Sequence, residues 1–178
     1  TAEAVVLSCF ETGGKRDKIV FEDGNFPSVQ YFYSAQKGLT VTPTPLAGVV
    51  DAIDDATLLV PISHVLFNSS EMQDAAAIVG KAHRVGAHVV LDCSQSAGVV
   101  PIDVTALGVD FAVGGCLKWL CGGPGSGWLY VRPDLAEQLL GLDEELRVRR
   151  PLHPAGGDVV EAVGQEVALR SGGFDRRE

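Results

Sequence analysis

Two residues in this chain stand where an acid and an amine could act together. Asp92 closes the apolar run Val89-Val90-Leu91, and Lys118 follows a second apolar run, Val109 to Val113, across Gly114-Gly115-Cys116-Leu117. Apolar runs of this length read as strands buried on both faces of a sheet. In a parallel sheet covered by helices, ligands bind in the crevice outside the carboxyl ends of the strands, so both side chains are expected over one small molecule. A lysine amine forms a Schiff base with an aldehyde, and a buried carboxylate holds a pyridine nitrogen protonated, which makes the ring an electron sink. Pyridoxal phosphate carries both groups. The same spacing also suits an aspartate that caps locally and a solvated loop lysine.

Strand and helix signals upstream supply the elements that must position these groups. Val5 to Phe10 reads as a buried strand and Lys18 to Glu22 as a second, separated by the turn Thr12-Gly13-Gly14-Lys15, which lacks the spacing of a phosphate loop. Phe26-Pro27-Ser28 starts a helix expected to carry Tyr31, Phe32 and Ala35 on one side. Gly38 to Pro45 reads as a loop or edge segment, Leu46 to Ile53 as a short helix, and Thr57 to Ile62 as another buried strand. Glu71 to Val85 carries Met72, Ala75, Ala76, Ile78, Val79 and Ala82 at helical spacing and ends at Gly86, so it should cross over and return the chain to the strand that ends at Asp92. His64 follows the Thr57 strand and reads as a packing or hydrogen-bonding residue, with a catalytic base as the lesser alternative. Downstream, Gly122 to Gly127 can turn tightly, Trp128 to Val131 reads as a strand, and Pro133-Asp134 starts a helix through Leu140. Asp143 to Arg150 reads as a charged helix or linker, and the end of the chain as frayed.

Several of these motifs occur together in a recognisable order. Asp92-Cys93-Ser94-Gln95-Ser96-Ala97-Gly98, Pro101-Ile102-Asp103, Gly108-Val109-Asp110-Phe111 and Lys118 with Gly122-Gly123-Pro124-Gly125 resemble the class V aminotransferases among the fold-type-I pyridoxal-phosphate enzymes. The look is closest to the branch that includes kynureninase. The resemblance extends back through Ser63-His64-Val65 to Phe26-Pro27-Ser28 and Lys18 to Glu22, covering about residues 5 to 140.

It implies an α/β fold, a mainly parallel sheet flanked by helices, as part of a fold-type-I large domain. Residues 1–142 would form the cofactor domain, incomplete at its start, and 143–178 a linker or poorly defined segment. Lys118 then corresponds to the Schiff-base lysine, Asp92 to the partner of the pyridine nitrogen, and Gln95 to a contact with the ring oxygen. Phe26 corresponds to the aromatic that stacks on the ring, and Ser69 to a small or hydroxyl residue near the cofactor. Three positions depart from kynureninase itself: Gln95 stands for its usual histidine, Val29 for an acidic residue, and Leu117 for a phosphate-binding tyrosine. The resemblance therefore implies a pyridoxal-phosphate enzyme acting on an amino acid, of aminotransferase type, with kynureninase-like hydrolysis or a catalytically silent interaction module as alternatives. Sulfur removal from cysteine is disfavoured, since no candidate cysteine loop lies downstream. A homodimer is implied for the full-length protein.

Composition bounds the partners. The 178 residues are 46% hydrophobic and 21% charged, which suits a globular domain. A net charge of -9, with 14 Lys+Arg, argues against a nucleic-acid or anionic-membrane surface. Four cysteines without dense or paired spacing suggest reduced thiols, and no signal or membrane-spanning run is present. A cytoplasmic protein is the expectation. The chain begins at Thr1 without a methionine, which fits a missing original N-terminus.

Overall fold

The computed structural model describes residues 2–136, together with the backbone of 160–163 and 166–170. Its strands are β1 (Lys18–Glu22), β2 (Thr40–Thr44), β3 (Thr57–Ser63), β4 (His88–Asp92), β5 (Phe111–Gly115), β6 (Ser126–Val131), β7 (Val160–Val163) and β8 (Glu166–Arg170). They form one sheet in the order β2-β1-β3-β4-β5-β6-β8-β7. Pairing is parallel from β2 to β5 and antiparallel beyond it. The helices are α1 (Ala2–Leu7), α2 (Pro27–Ser34), α3 (Val49–Ala52), α4 (Ala75–Val85) and α5 (Val104–Leu107). A mainly parallel sheet with helices matches the expected class. Among the described residues no helix is long and apolar enough to cross a membrane.

The sheet separates two apolar cores. β3 is buried at every position, and its alternate residues serve both faces: Val60 and Ile62 join Ile78, Val79 and Ala82 of α4, while Leu59 joins Ile19, Phe21 and Tyr33 on the other side. A strand covered on both faces must be apolar throughout, which is why this stretch shows no alternation in sequence.

Four details depart from the sequence reading. Val5 to Phe10 was expected as a strand, but α1 occupies its first half. Glu3, Val6 and Leu7 are its buried residues, the i, i+3, i+4 spacing of a helix, and so short an apolar run does not reveal its own period. Helix α2 buries Val29 and Tyr33 and leaves Tyr31 74% exposed, instead of presenting Tyr31, Phe32 and Ala35 together. The Tyr33 hydroxyl donates to Glu3 Oε2 at 2.5 Å, which ties that face of α2 to α1. Burial pushes the Glu3 carboxyl up to about 7.

Helix α4 begins at Ala75 and not at Glu71. Leu66 N–H donates to Glu71 O and Gln73 N–H to His64 O, so residues 71–73 are already paired in extended form and Met72 is 61% exposed. Asp74 then caps the helix by accepting from Ala77 N–H at 3.0 Å, and Gly86 closes it in the left-handed conformation at φ 78°. Beyond 142, β7 and β8 lie in the stretch expected to be a linker or poorly defined, and β8 pairs with β6 in the same sheet. A helix starts at 133 as expected; its extension to Leu140 and the segment Asp143 to Arg150 lie outside the described residues.

At the amino edge of β4 and β5 a buried carboxylate collects the available donors. Asp110 is fully buried and receives His83 Nε2 at 2.9 Å, His88 Nδ1 at 3.2 Å, Arg132 Nη1 at 3.0 Å and Val89 N–H at 2.8 Å. This cluster links α4, β4, β5 and the end of β6. Burial alone would raise the Asp110 pKa, but the hydrogen bonds from His88, His83 and the Val89 amide outweigh it and hold the carboxyl below its usual range.

Removing this carboxylate takes the partner from two histidines and a buried amide and leaves Arg132 paired with Asp134 alone. Asp110→Ala should therefore cost about 3–5 kcal/mol in urea unfolding. A group whose folded pKa is depressed stabilises above its unfolded value, about 3.9, and loses that contribution as pH falls through the folded pKa. The wild-type advantage over Asp110→Ala should accordingly be full near neutrality and shrink in acid below that value.

Candidate active site

Because β1, β3, β4 and β5 run parallel, their carboxyl ends fall on one edge of the sheet. The register pairs Ser63 with Asp92 and Asp92 with Val113, so the residues just past these strands surround one space. A pocket of about 330 Å³ opens there. β1 delivers Phe26 to it through the turn into α2; β3 delivers Ser63, Val65 and Phe67; β4 delivers Asp92, Ser94 and Gln95. β5 delivers Gly115, Leu117 and Lys118, and the antiparallel β6 returns with Gly125 and Ser126. Asp92, Gln95, Lys118 and Phe26 are thus brought together. Ser69 is not: it is exposed in the loop after β3, where its hydroxyl accepts from Glu71 N–H at 3.3 Å.

Lys118 Nζ lies 5.9 Å from the centre of the Phe26 ring, so the amine and the aromatic face look onto the same volume. Phe26 in turn meets Phe67 edge to face with ring centres 5.2 Å apart. Asp92 Oδ1 accepts from Ser94 N–H at 2.7 Å, and the Asp92 carbonyl accepts from His64 N–H at 2.9 Å. These bonds set the direction in which the chain leaves β4, and Gln95 follows three residues on, at the same rim. Leu117 lines the pocket and is 59% exposed.

His64 behaves as a packing residue. It is buried, its Nδ1 bonds with Ser96 Oγ at 3.0 Å, and burial lowers its pKa, so it remains neutral at physiological pH. The bond ties the loop after β3 to the loop after β4. Val29 is buried in the core beneath α2, away from the pocket lining. Cys93 is buried too, and its thiol is pushed up to about 12 by burial, with Asp92 adding to the shift. It stays protonated beside the site.

The loops that carry Asp92 and Lys118 touch each other at Gly98. With φ at 98°, this glycine adopts a conformation that L side chains rarely take. A Cβ there would lie 3.0 Å from the Trp119 carbonyl carbon and 3.1 Å from Leu120 Cδ2. The seat of the lysine loop depends on the missing side chain.

The sequence places Ser63 to Ser70 after the Thr57 strand and facing the crevice without singling out Ser63 or Phe67, and it gives no role to Ser94 or Ser126. Phe67 carried a legible signal, since it follows β3 at a distance comparable to that of Phe26 after β1. Ser126 carried none, because its place depends on the antiparallel return of β6. An amine, a carboxylate, an amide and a flat aromatic face around one pocket form a donor set that fits the pyridine aldehyde expected from the sequence.

The chain is 37% identical to an uncharacterized aminotransferase, YcbU, of Bacillus subtilis (strain 168) over 141 residues, 75% of this chain and 38% of that protein. It is 35% identical to a kynureninase of Pseudomonas fluorescens over 133 residues, 69% of this chain and 31% of the relative. The chain therefore spans only about a third of the length of these relatives. Among solved structures, a complex of the cystine C-S lyase C-DES with cysteine persulfide superposes with a TM-score of 0.62 at 27% identity, over 70% of this chain and 37% of that one. Ureidoglycine-glyoxylate aminotransferase from Bacillus subtilis shares the fold, with a TM-score of 0.65 at 19% identity, over 79% of this chain and 38% of that one. The model of the family named aminotransferase class-V matches residues 3–164, and the chain belongs to that family.

Proposed function

We propose that this chain is the central part of the large domain of a pyridoxal-phosphate-dependent enzyme that acts on an amino acid through Lys118. The observation that carries the reading is the convergence of Lys118, Asp92 and Phe26 on one pocket at the carboxyl edge of the sheet. Pyridoxal phosphate, when bound, supplies an aldehyde that joins the substrate amine and a protonated ring that draws electrons from the adjacent carbon. Asp92 holds the proton at the pyridine nitrogen, with the Ser94 amide bond keeping its carboxylate oriented. Phe26 would offer its flat face to the ring and exclude water from that side. Gln95 offers its amide to the ring oxygen. Lys118 would hold the aldehyde and would move a proton to or from the reacting carbon.

Transamination is the favoured reaction, supported by Gln95 and Leu117, which replace the histidine and tyrosine expected of kynureninase. The 35% identity to a Pseudomonas fluorescens kynureninase supports hydrolytic cleavage of an aromatic amino acid as a second reading. A homodimer belongs to the same proposal, since a second copy would cover Leu117, Trp119 and Leu120, large apolar residues exposed beside the pocket.

Addition of pyridoxal phosphate should produce a visible absorbance band, and borohydride should then fix the label on Lys118. Wild-type protein that takes no label at Lys118 would instead be a silent module. Lys118→Ala should abolish the fixed label. Asp92→Asn should retain it yet lose at least 100-fold in turnover, because the ring nitrogen loses its ionic partner, a difference of roughly 2.7 kcal/mol at the transition state; unchanged turnover would remove Asp92 from the assigned role. Gly98→Ala should weaken cofactor binding measured by absorbance titration, although Gly98 does not line the pocket.

A further inference from the structure

Two buried oxygens lack a hydrogen-bond partner among the described residues, Glu22 Oε2 and Gln73 Oε1. Both belong to side chains that grip the same residue. Glu22 Oε1 accepts from Ser63 N–H at 3.0 Å, and Gln73 Nε2 donates to Ser63 O at 2.7 Å. Glu22 is fully buried at the end of β1, and Gln73 is buried just before α4. Each of these bare acceptors sits on a side chain that holds Ser63, and a buried acceptor without a partner is costly. One added proton turns one of them into a donor.

We propose that Glu22 is held in the folded protein as a neutral carboxylic acid whose hydroxyl donates to Gln73 Oε1, closing a clasp around Ser63 that positions the pocket wall. Ser63 lines the pocket. Its hydroxyl lies 3.4 Å from Asn25 Oδ1, which accepts from Phe26 N–H at 2.6 Å, while Asn25 Nδ2 donates to Pro61 O at 3.0 Å. The clasp therefore reaches the aromatic that faces Lys118. Glu22 is a positioning residue and touches no reacting atom.

The surroundings favour the neutral form. Burial raises the Glu22 pKa, and the bond from the Ser63 amide offsets this only in part. The groups on the packed elements are uncharged, engaged elsewhere or exposed: Thr44 of β2 lies level with Glu22, Asp92 of β4 lies level with Ser63 and accepts from Ser94 N–H, His64 bonds with Ser96, Asp74 caps α4, and Asp23 follows in the exposed turn.

The test compares melting temperatures of the 178-residue wild type and Glu22→Gln between pH 4 and 8. A glutamine amide reproduces the proposed donor without titrating. A carboxyl whose folded pKa is raised contributes stability that is full below its unfolded value, about 4.3, and lost as pH rises toward the folded value. The melting temperature of Glu22→Gln relative to wild type should therefore climb with pH across this window, whatever constant offset the substitution adds. A difference that is flat or falls with pH overturns the proposal. Should Glu22→Gln fail to fold, the infrared carbonyl band of a protonated carboxyl at pH 7 decides, recorded in Glu3→Gln protein to remove the other buried carboxyl whose pKa is raised; its absence overturns the assignment.

The link to the pocket rests on the pyridoxal-phosphate reading. Glu22→Ala should bind pyridoxal phosphate about 10-fold more weakly than wild type, and Glu22→Gln should restore binding. Wild-type affinity in Glu22→Ala removes the positioning role, whereas a wild type that takes no cofactor defeats the functional reading and leaves the pH slope standing.

Discussion

Everything at the site follows from parallel register. Four strands that run the same way, with Ser63 level with Asp92 and Asp92 level with Val113, end on one line. Backbone hydrogen bonding hands the chain over at that line to loops whose side chains are free to turn inward. No single side chain has to find another across the molecule; strands separated by whole helices are aligned by ladder bonds, and their successors converge by default. Were β4 shifted by one residue against β3, Asp92 would leave the crevice and the strand's apolar residues would exchange faces.

The two edges of the sheet treat buried charge in opposite ways. At the amino edge, Asp110 is ionised and surrounded by an arginine, two histidines and an amide, so its negative charge is fully answered and the strand starts are locked to α4. At the carboxyl edge, the hydrogen-bond partner of Glu22 among the described residues is the neutral Ser63 amide, and a neutral acid is the form that costs least there. The division has a chemical use. Charge kept at the far edge leaves the pocket field to Asp92 and Lys118, the two groups whose charges the proposed chemistry needs.

The pocket also shows how glycine and small polar residues set the reach of larger ones. Gly98 lets the Trp119 backbone close to within contact of the loop that follows Asp92. Ser63, Asn25 and Phe26 form a chain of hydrogen bonds from the β3 end to the aromatic face. Each link is local, yet together they hold Phe26 in view of Lys118.

Much of this was legible in the residues alone. Apolar runs ending in Asp92 and preceding Lys118 revealed two parallel strand ends, because burial on both faces forces continuous apolarity. The helix that returns the chain to Asp92 was legible from its 3.6-residue period and its closing glycine. The start of that helix was not, because residues 71–73 pair with 64–66, a contact that no local pattern encodes. Nor was α1, whose apolar stretch is too short to display a period, or Ser69, whose exposure depends on how the β3 loop folds. The antiparallel return of β6, the convergence of Glu22 and Gln73 on Ser63, and the gathering of four donors on Asp110 came only with the tertiary structure. Chemistry at a position is a property of the side chain and is written in the sequence; which side chains share a space depends on ladder register and loop closure, which are settled when distant segments pack.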